Sequence, residues 1–424
     1  MLMYNKVITG QEKGVVLGNF VSLSTLQSIN YILPVIILPY LIRIIGFSKF
    51  GLIAFAQAFV QYFMLLTDYG FSLTATRRIS LCRSQREDLS KIFSSVMTVK
   101  LLFAALSLII LLAVINFIPK FRKDYLVYLL SFGAVVGNTL FPVWFFQGQE
   151  KMKFISVINI TAGLVYAVSI FVFVKSPVDY LLVPALNSAY AVFCGITGLF
   201  TAFRSFNLQF IRQDYADITS EIKTGWSIFI SVICVNAYTS TRVFVVGLLA
   251  NNLLTGYYAI AERIAGAFQT FPLDSLSQSI YPRLNSIFAR NKKRAFSLMS
   301  RIQRSTDLIF LGVTPLAIAF APFIVRVACG HKYWQIILAL RVLLVGSYFV
   351  AVNAFRIQFL LVCGKQKEYS RIHVAAALLG LPLIIASVYY LSYLRAALST
   401  VVIEAGILLA SIKILRSYWR SKLQ

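Results

Sequence analysis

Long apolar stretches alternate with short polar ones along the whole chain. Residues 14–42, 125–149, 154–174, 180–203 and 372–394 contain no Asp, Glu, Lys or Arg. Each exceeds the roughly 20 residues that an α-helix needs to cross a ~30 Å hydrocarbon core. Membrane-spanning β-strands are shorter, at about 10 residues, and alternate in polarity, so a barrel is excluded. Extended to the less clean stretches, the pattern predicts twelve helical spans, near 15–42, 50–72, 92–116, 125–147, 154–174, 180–203, 225–250, 256–281, 308–328, 335–362, 372–391 and 397–415. The expected fold is an all-α polytopic membrane protein.

The polar intervals orient it. The chain has 40 Lys and Arg against 15 Asp and Glu, a formal charge of +25, and is 59% hydrophobic. On a soluble protein that charge would suggest nucleic acid. A mean hydropathy of +0.78 is too apolar for a water-exposed surface, so no nucleic-acid partner is expected. Twenty-five of the basic residues lie at the N-terminus, in every second interval after it and in the C-terminal tail. They include Lys6, Lys13, Arg77, Arg78, Arg283 and the run Arg290, Lys292, Lys293, Arg294. The alternate intervals hold eight, and seven fall within spans. By the positive-inside rule both termini are cytoplasmic. The longest basic interval, 282–307, reads as a topology-setting loop between spans 8 and 9.

An internal repeat divides the chain. Gly51-Leu-Ile-Ala54-Phe-Ala56 and Gly256-Tyr-Tyr-Ala259-Ile-Ala261 are offset by 205 residues, and Arg78 matches Arg283 at the same offset. Gly148-Gln-Glu-Lys151 similarly parallels Gly364-Lys-Gln-Lys367. The expected organisation is a six-helix lobe over 1–203, a cytoplasmic connection over 204–224, a second six-helix lobe over 225–415 and a tail over 416–424, as in repeat-built transporters.

Several chemistries are excluded. No phosphate-binding G-x-x-x-x-G-K-[ST] loop is present. No catalytic triad or carboxylate pair sits on an outer loop large enough for a pocket, so an enzyme such as a glycan polymerase or ligase is disfavoured. The five cysteines are scattered in mostly apolar surroundings, and His331 and His373 have no ligand-spaced partner, so neither a disulfide framework nor a metal site nor a cofactor is expected. Pro34, Pro39, Pro184, Pro272 and Pro315 are candidate bending points within spans.

The embedded charges hold the candidate chemistry. At 1.5 Å per residue, Arg242, Glu262, Arg263 and Arg341 sit about 9–12 Å below the outer surface. An arginine at the centre of a membrane helix costs about 2.5–3.5 kcal/mol on the mildest scale, so these side chains need a wet cavity or a partner. Three arginines against one glutamate suit an anionic substrate, since guanidinium binds phosphate bidentately. Snorkelling to the headgroups with a local Glu262–Arg pair is the competing reading. In the inner half lie Asp68, Lys100, Asp274 and Arg356. Asp68 and Lys100 are positioned to pair, and Lys100 is a candidate substrate ligand. Asp68, Glu262 and Glu404 are candidates for binding a coupling ion.

Two strings resemble a known family. Pro39-Tyr-Leu-Ile-Arg43-Ile-Ile-Gly46, followed by Phe50-Gly51 and Asp68-Tyr69-Gly70, resembles the start of the polysaccharide-biosynthesis flippases. Trp144-Phe-Phe-Gln147-Gly148-Gln-Glu150-Lys151-Met152 looks like the same family's W-x-x-Q-G-x-E-K-M stretch. The resemblance is to the O-antigen (Wzx-type) flippase family, in the polysaccharide-biosynthesis branch of the multidrug/oligosaccharidyl-lipid/polysaccharide exporter superfamily. It implies two six-helix lobes around a central cationic cavity in the bacterial inner membrane. The implied substrate is an undecaprenyl-pyrophosphate-linked oligosaccharide, driven by H+ or Na+, with an O-antigen polymerase and chain-length regulator as further partners. A multidrug-cation antiporter needs an acidic cavity, and a lipid II flippase usually has two further helices; both fit less well. The motifs transfer no binding site, so Arg242, Arg263, Arg341 and Lys100 rest on depth and charge.

Overall fold

The computed structural model describes residues 10–83, 85–391 and 393–423, with side chains from 33 onward apart from most of 270–289, 391 and 419–423. Expectations for Lys6, and for the side chains of Lys13, Pro272, Asp274 and Arg283, lie outside the described residues.

Among the described residues every regular element is helical. In order they are α1 (Gly10–Asp68), α2 (Phe71–Leu81), α3 (Arg86–Phe117), α4 (Pro119–Lys123), α5 (Tyr125–Leu140), α6 (Val143–Gly148), α7 (Met152–Phe173), a 3-10 turn (Pro177–Leu181), α8 (Leu182–Phe206), α9 (Tyr215–Thr239), α10 (Thr241–Leu249), α11 (Asn252–Arg290), α12 (Lys292–Cys329), α13 (Trp334–Val362), α14 (Gln366–Leu391) and α15 (Tyr393–Leu423). Ten segments among the described residues are long and apolar enough to cross a membrane.

The helices break at positions that hydropathy did not predict. Pro34 and Pro39 sit in continuous helix, and the break in α1 falls at Gly46, with φ 75° and ψ 167°. That conformation is open to glycine and closed to most other residues. The span expected over 125–147 is interrupted between α5 and α6, at Phe141 and Pro142. The one expected over 225–250 is interrupted at Ser240. The basic stretch 282–307 is not a loop: α11 runs to Arg290 and α12 starts at Lys292. Lys and Arg are good helix formers, and Asn291 caps α12 by accepting from the Arg294 amide at 2.9 Å.

The described chain forms two compact units. The first comprises residues 1–34 and 59–230, the second 35–58 and 231–424. Within the first, the Trp144 string forms part of an aromatic core. Phe93 packs against Trp144 and Phe145 with ring centroids 5.6 and 5.5 Å apart. Arg83 fastens the end of α6, donating from Nε to the Gly148 carbonyl at 2.9 Å and from Nη2 to Glu150 at 2.7 Å. Thr76 donates to the Trp144 carbonyl at 3.1 Å. The Lys151 amide then closes α6 on the Phe146 carbonyl at 2.9 Å, five residues back, and the Lys365 amide closes α13 on Leu360 in the same way at 2.9 Å.

In the second unit the repeat-related glycines meet. A Cβ on Gly51 would strike the Asn252 carbonyl and the Gly256 amide, and one on Gly256 would strike the Phe47 carbonyl. Small residues let membrane helices approach to backbone contact. Around this crossing Phe47 packs on Tyr257 and Tyr333, at 5.2 and 4.5 Å between centroids, and Phe55 stacks on Phe244 at 5.5 Å. A Cβ added at Gly266 of α11 would meet nothing within 4 Å. Gly256→Ala is therefore expected to lower stability by about 2 kcal/mol through overpacking, while Gly266→Ala stays within about 0.5 kcal/mol or stabilises the helix. Thermal unfolding of the purified protein in detergent reads both.

Candidate functional site

The break at Ser240 prepares the site for Arg242. Carbonyls at the end of α9 lose their helical amide partners there. Arg242 takes the Thr239 carbonyl with Nε at 3.1 Å and Nη2 at 2.8 Å. A cation at a helix C-terminus is also favoured by the helix dipole. Its Nη1 donates to Thr400 Oγ1 of α15 at 2.9 Å, and Glu262 of α11 lies 3.1 Å from Nε. The two charged side chains are 15% and 26% exposed. Glu404, one turn beyond Thr400, is within electrostatic reach of Arg242, as is Tyr258, one turn before Glu262 and fully buried. The expected local Glu262–Arg pair thus forms, and it forms with Arg242.

Arg263, next along α11, faces another way. It is exposed. Its Nη2 donates to Gln57 Oε1 at 2.7 Å and its guanidinium lies 5.1 Å from the Phe50 ring. Both partners belong to the segment that the Gly51–Gly256 crossing holds against α11. Arg341 is not brought into the Arg242 cluster. Its Nε donates to the Ile318 carbonyl at 3.3 Å and its guanidinium lies 5.7 Å from the Trp334 ring.

In the first unit Lys100 is 2% exposed, with Nζ donating to the Asn138 carbonyl at 3.2 Å. Asp68 is within electrostatic reach of it, but the Asp68 carboxylate takes its hydrogen bond from Ser72 Oγ at 3.1 Å. A cavity of about 390 Å3 in the same unit is lined by Arg78, Cys82, Asp88, Lys91, Asp217 and Glu221 among others. Its cations are engaged: Arg78 donates to Glu221, and Lys91 lies 3.6 Å from Asp217. Three carboxylates against two cations do not suit an anionic ligand. Burial pushes the Cys82 thiol above its usual range, which argues against a reactive thiolate.

Sequence reasoning missed three parts of this chemistry. Tyr238 and His373 are 135 residues apart, yet the Tyr238 hydroxyl lies 2.7 Å from His373 Nδ1. Asp307 forms a two-oxygen pair with Arg356, at 2.9 and 3.4 Å, and Gln303 donates to it at 2.6 Å. The buried Thr400 and the amide of Gln57 had no signal beyond being polar positions in apolar helices. That signal identifies candidates without identifying partners. The five cysteines are free.

Long apolar helices holding partly buried ion pairs mark a polytopic membrane protein, and solved transporter structures share its fold. Two solved structures share it: "Inward-facing conformation of a multidrug resistance MATE family transporter of the MOP superfamily", with TM-score 0.72, 14% identity and coverage of 95% of this chain and 99% of that one; and "Lipid II flippase MurJ, inward closed conformation", with TM-score 0.72, 13% identity and coverage of 92% and 86%. Residues 16–288 match the family model described as "Polysaccharide biosynthesis protein", and the chain belongs to that family. A similar protein from Escherichia coli (strain K12), named "Putative O-antigen transporter", is 28% identical over 367 residues, covering 86% of this chain and 88% of its own length. One from Shigella dysenteriae with the same name is 26% identical over 402 residues, covering 93% and 98%.

Removing one partner of a fully buried pair costs about 3–5 kcal/mol; this pair is partly exposed, so a loss of about 2 kcal/mol is expected. Arg242→Met and Glu262→Gln should each lower stability by roughly that much. The double variant should lose clearly less than the sum. A thermal-unfolding cycle on the four purified proteins measures the coupling.

Proposed function

We propose that the chain is a flippase for lipid-linked oligosaccharide. It moves an undecaprenyl-pyrophosphate-linked repeat unit from the cytoplasmic to the periplasmic leaflet of the bacterial inner membrane, by alternating access coupled to an ion gradient. Family membership supports the substrate class, and transporters of this name are similar over most of their length. The architecture in this reading has twelve crossings in two six-helix halves, with both termini cytoplasmic. The count reaches twelve when α1, broken at Gly46, supplies two crossings and α11 one beside the remaining apolar segments.

The observation carrying the reading is that two embedded cations have neutral hydrogen-bond acceptors. Lys100 is held by the Asn138 carbonyl and Arg341 by the Ile318 carbonyl. A buried charge held this way lacks full compensation and favours an anionic ligand. In the proposed mechanism Lys100 takes the pyrophosphate on the cytoplasmic side, and Arg263 and Arg341 neutralise it further along. Arg242 joins them when it leaves Glu262. Glu262, Glu404 and Asp68 are the proposed ion-coupling carboxylates. An O-antigen polymerase and chain-length regulator are proposed as downstream partners.

The test is surface glycan in a strain whose own transporter is deleted. Arg263→Ala and Arg341→Ala should each lower glycan about tenfold or more, with the protein still in the membrane fraction, and Arg→Lys should restore part of it. Full export by both alanine variants would remove the cationic site from the mechanism.

A further inference from the structure

Residues 282–306 carry seven Lys and Arg and no Asp or Glu. Setting topology needs only that such charges lie somewhere in the interval. The structure arranges them further. From Lys292 onward they lie on α12, and the same helix continues as an apolar segment long enough to cross a membrane. Arg294, Arg301 and Arg304 are exposed along its first turns.

The face they occupy is the informative point. Arg294, Arg301 and Leu308 follow one another at seven-residue intervals, which on an α-helix is one row drifting by about 20° per step. Arg304 and Leu311 repeat the interval in the neighbouring row. Leu308 and Leu311 are 63% and 58% exposed, and with Leu316 and Phe323 they make the apolar face that a membrane helix turns to lipid. The opposite face of the basic turns is closed, with Ala295, Phe296, Met299 and Gln303 buried. Phe296 packs at 4.8 Å on Phe359 of α13 and stacks at 6.0 Å on Tyr418 of α15. These contacts fix the rotation of α12, so the arginines stay in line with the lipid-facing leucines.

Depth agrees with direction. At 1.5 Å per residue Arg304 stands about 6 Å, and Arg301 about 10 Å, beyond Leu308 along the helix axis. The headgroup layer is roughly 5–8 Å deep on each side of the hydrocarbon core. Flexible arginine stems carry their charge across the remaining distance. Neighbouring carboxylates are engaged elsewhere, Asp307 with Arg356 and Glu368 with Lys365. Among the described residues no ion pair engages Arg294, Arg301 or Arg304.

We propose that Arg294, Arg301 and Arg304 form a seat for an anionic phospholipid of the surrounding bilayer. The guanidinium groups take its phosphate, and its acyl chains lie along Leu308 and Leu311. Guanidinium is suited to this because its planar fork binds phosphate oxygens in pairs. The apolar continuation of the row favours a lipid over RNA or a soluble anion, neither of which has a part to lay on the leucines. An occupied seat ties the Asn291 junction to the membrane surface. The inference goes beyond the transport reading and needs only that α12 spans a bilayer.

The test titrates the full-length protein, purified in a non-ionic detergent, with phosphatidylglycerol or phosphatidylcholine. Native mass spectrometry counts the bound lipid. Phosphatidylglycerol should bind the wild type more tightly than phosphatidylcholine, and added salt should weaken it. Each basic residue near an anionic lipid surface contributes about a fivefold gain in binding, so Arg294→Gln, Arg301→Gln and Arg304→Gln together should weaken phosphatidylglycerol about 100-fold. The three Arg→Lys changes together should keep most of the affinity. Lys151, Lys153 and Arg212 are exposed in the first unit. Changing those three to Gln removes the same charge and should alter binding by no more than about twofold. If the triple Arg→Gln variant does not fold, Arg301→Gln alone should show a loss of about fivefold. Equal losses in the two triple Gln variants would reduce the effect to net charge and overturn the proposal. Equal binding of the two lipids by the wild type overturns it as well. Displacement of the lipid by excess inorganic phosphate at constant ionic strength would assign the face to a soluble anion. An RNA oligonucleotide that binds more tightly than phosphatidylglycerol would assign it to nucleic acid. Either result overturns the lipid seat.

Discussion

The backbone contact between Gly51 and Gly256 is the constraint on which the charged region of the second unit depends. Neither position admits a Cβ without striking main-chain atoms of the other helix. Close approach of this kind gives van der Waals contact in a setting where lipid offers little hydrophobic drive between helices. It fixes residues 47–57 against α11. Gln57 and Phe50 thereby reach Arg263, and one residue away Glu262 turns to Arg242. Two adjacent residues of α11 thus meet different surroundings. Arg263 rests on an amide and a ring, while Glu262 enters an ion pair.

The embedded arginines are stabilised in distinct ways. Arg242 is closed in by a carboxylate, a hydroxyl and the exposed carbonyl at the end of a broken helix. Arg356 is paired with a carboxylate, Asp307. Arg341 relies on a carbonyl and an aromatic face. The first two arrangements compensate charge, and the last orients a charge against neutral partners. Guanidinium suits all of these because its planar fork serves several acceptors at once and its faces stack on rings.

The fold was legible in the sequence because a bilayer demands it. Uninterrupted apolar runs such as 154–174 have no soluble alternative, and α7 spans Met152–Phe173. The family strings were legible as signatures, but their physical role emerges only from the structure. They sit where the backbone departs from ordinary helix: Gly46 at φ 75°, Tyr69 at φ 45° and Glu150 at φ 56°. Hydropathy does not report such positions, which is why the breaks at Gly46, Phe141 and Ser240 were not foreseen while Pro34 and Pro39, which the eye picks out, lie in continuous helix. The candidate site was half legible. A charge in an apolar run announces itself, so Arg242, Glu262 and Lys100 were nameable. Pairings across 135 residues, such as Tyr238 with His373, depend on helix azimuths that no short-range pattern encodes.

The single residue between α11 and α12 makes the basic stretch an elbow instead of a tether. Asn291 ends one helix, with its amide on the Ile287 carbonyl at 2.7 Å, and caps the next. Each residue added to or removed from a helix rotates the downstream chain by about 100°. A tether absorbs such a change; this elbow passes it on to α12. Length in this stretch is therefore an angular coordinate. It sets which face of α12 presents Asp307 to Arg356 of α13, and through that pair how the basic end of one helix is keyed to the interior of the unit.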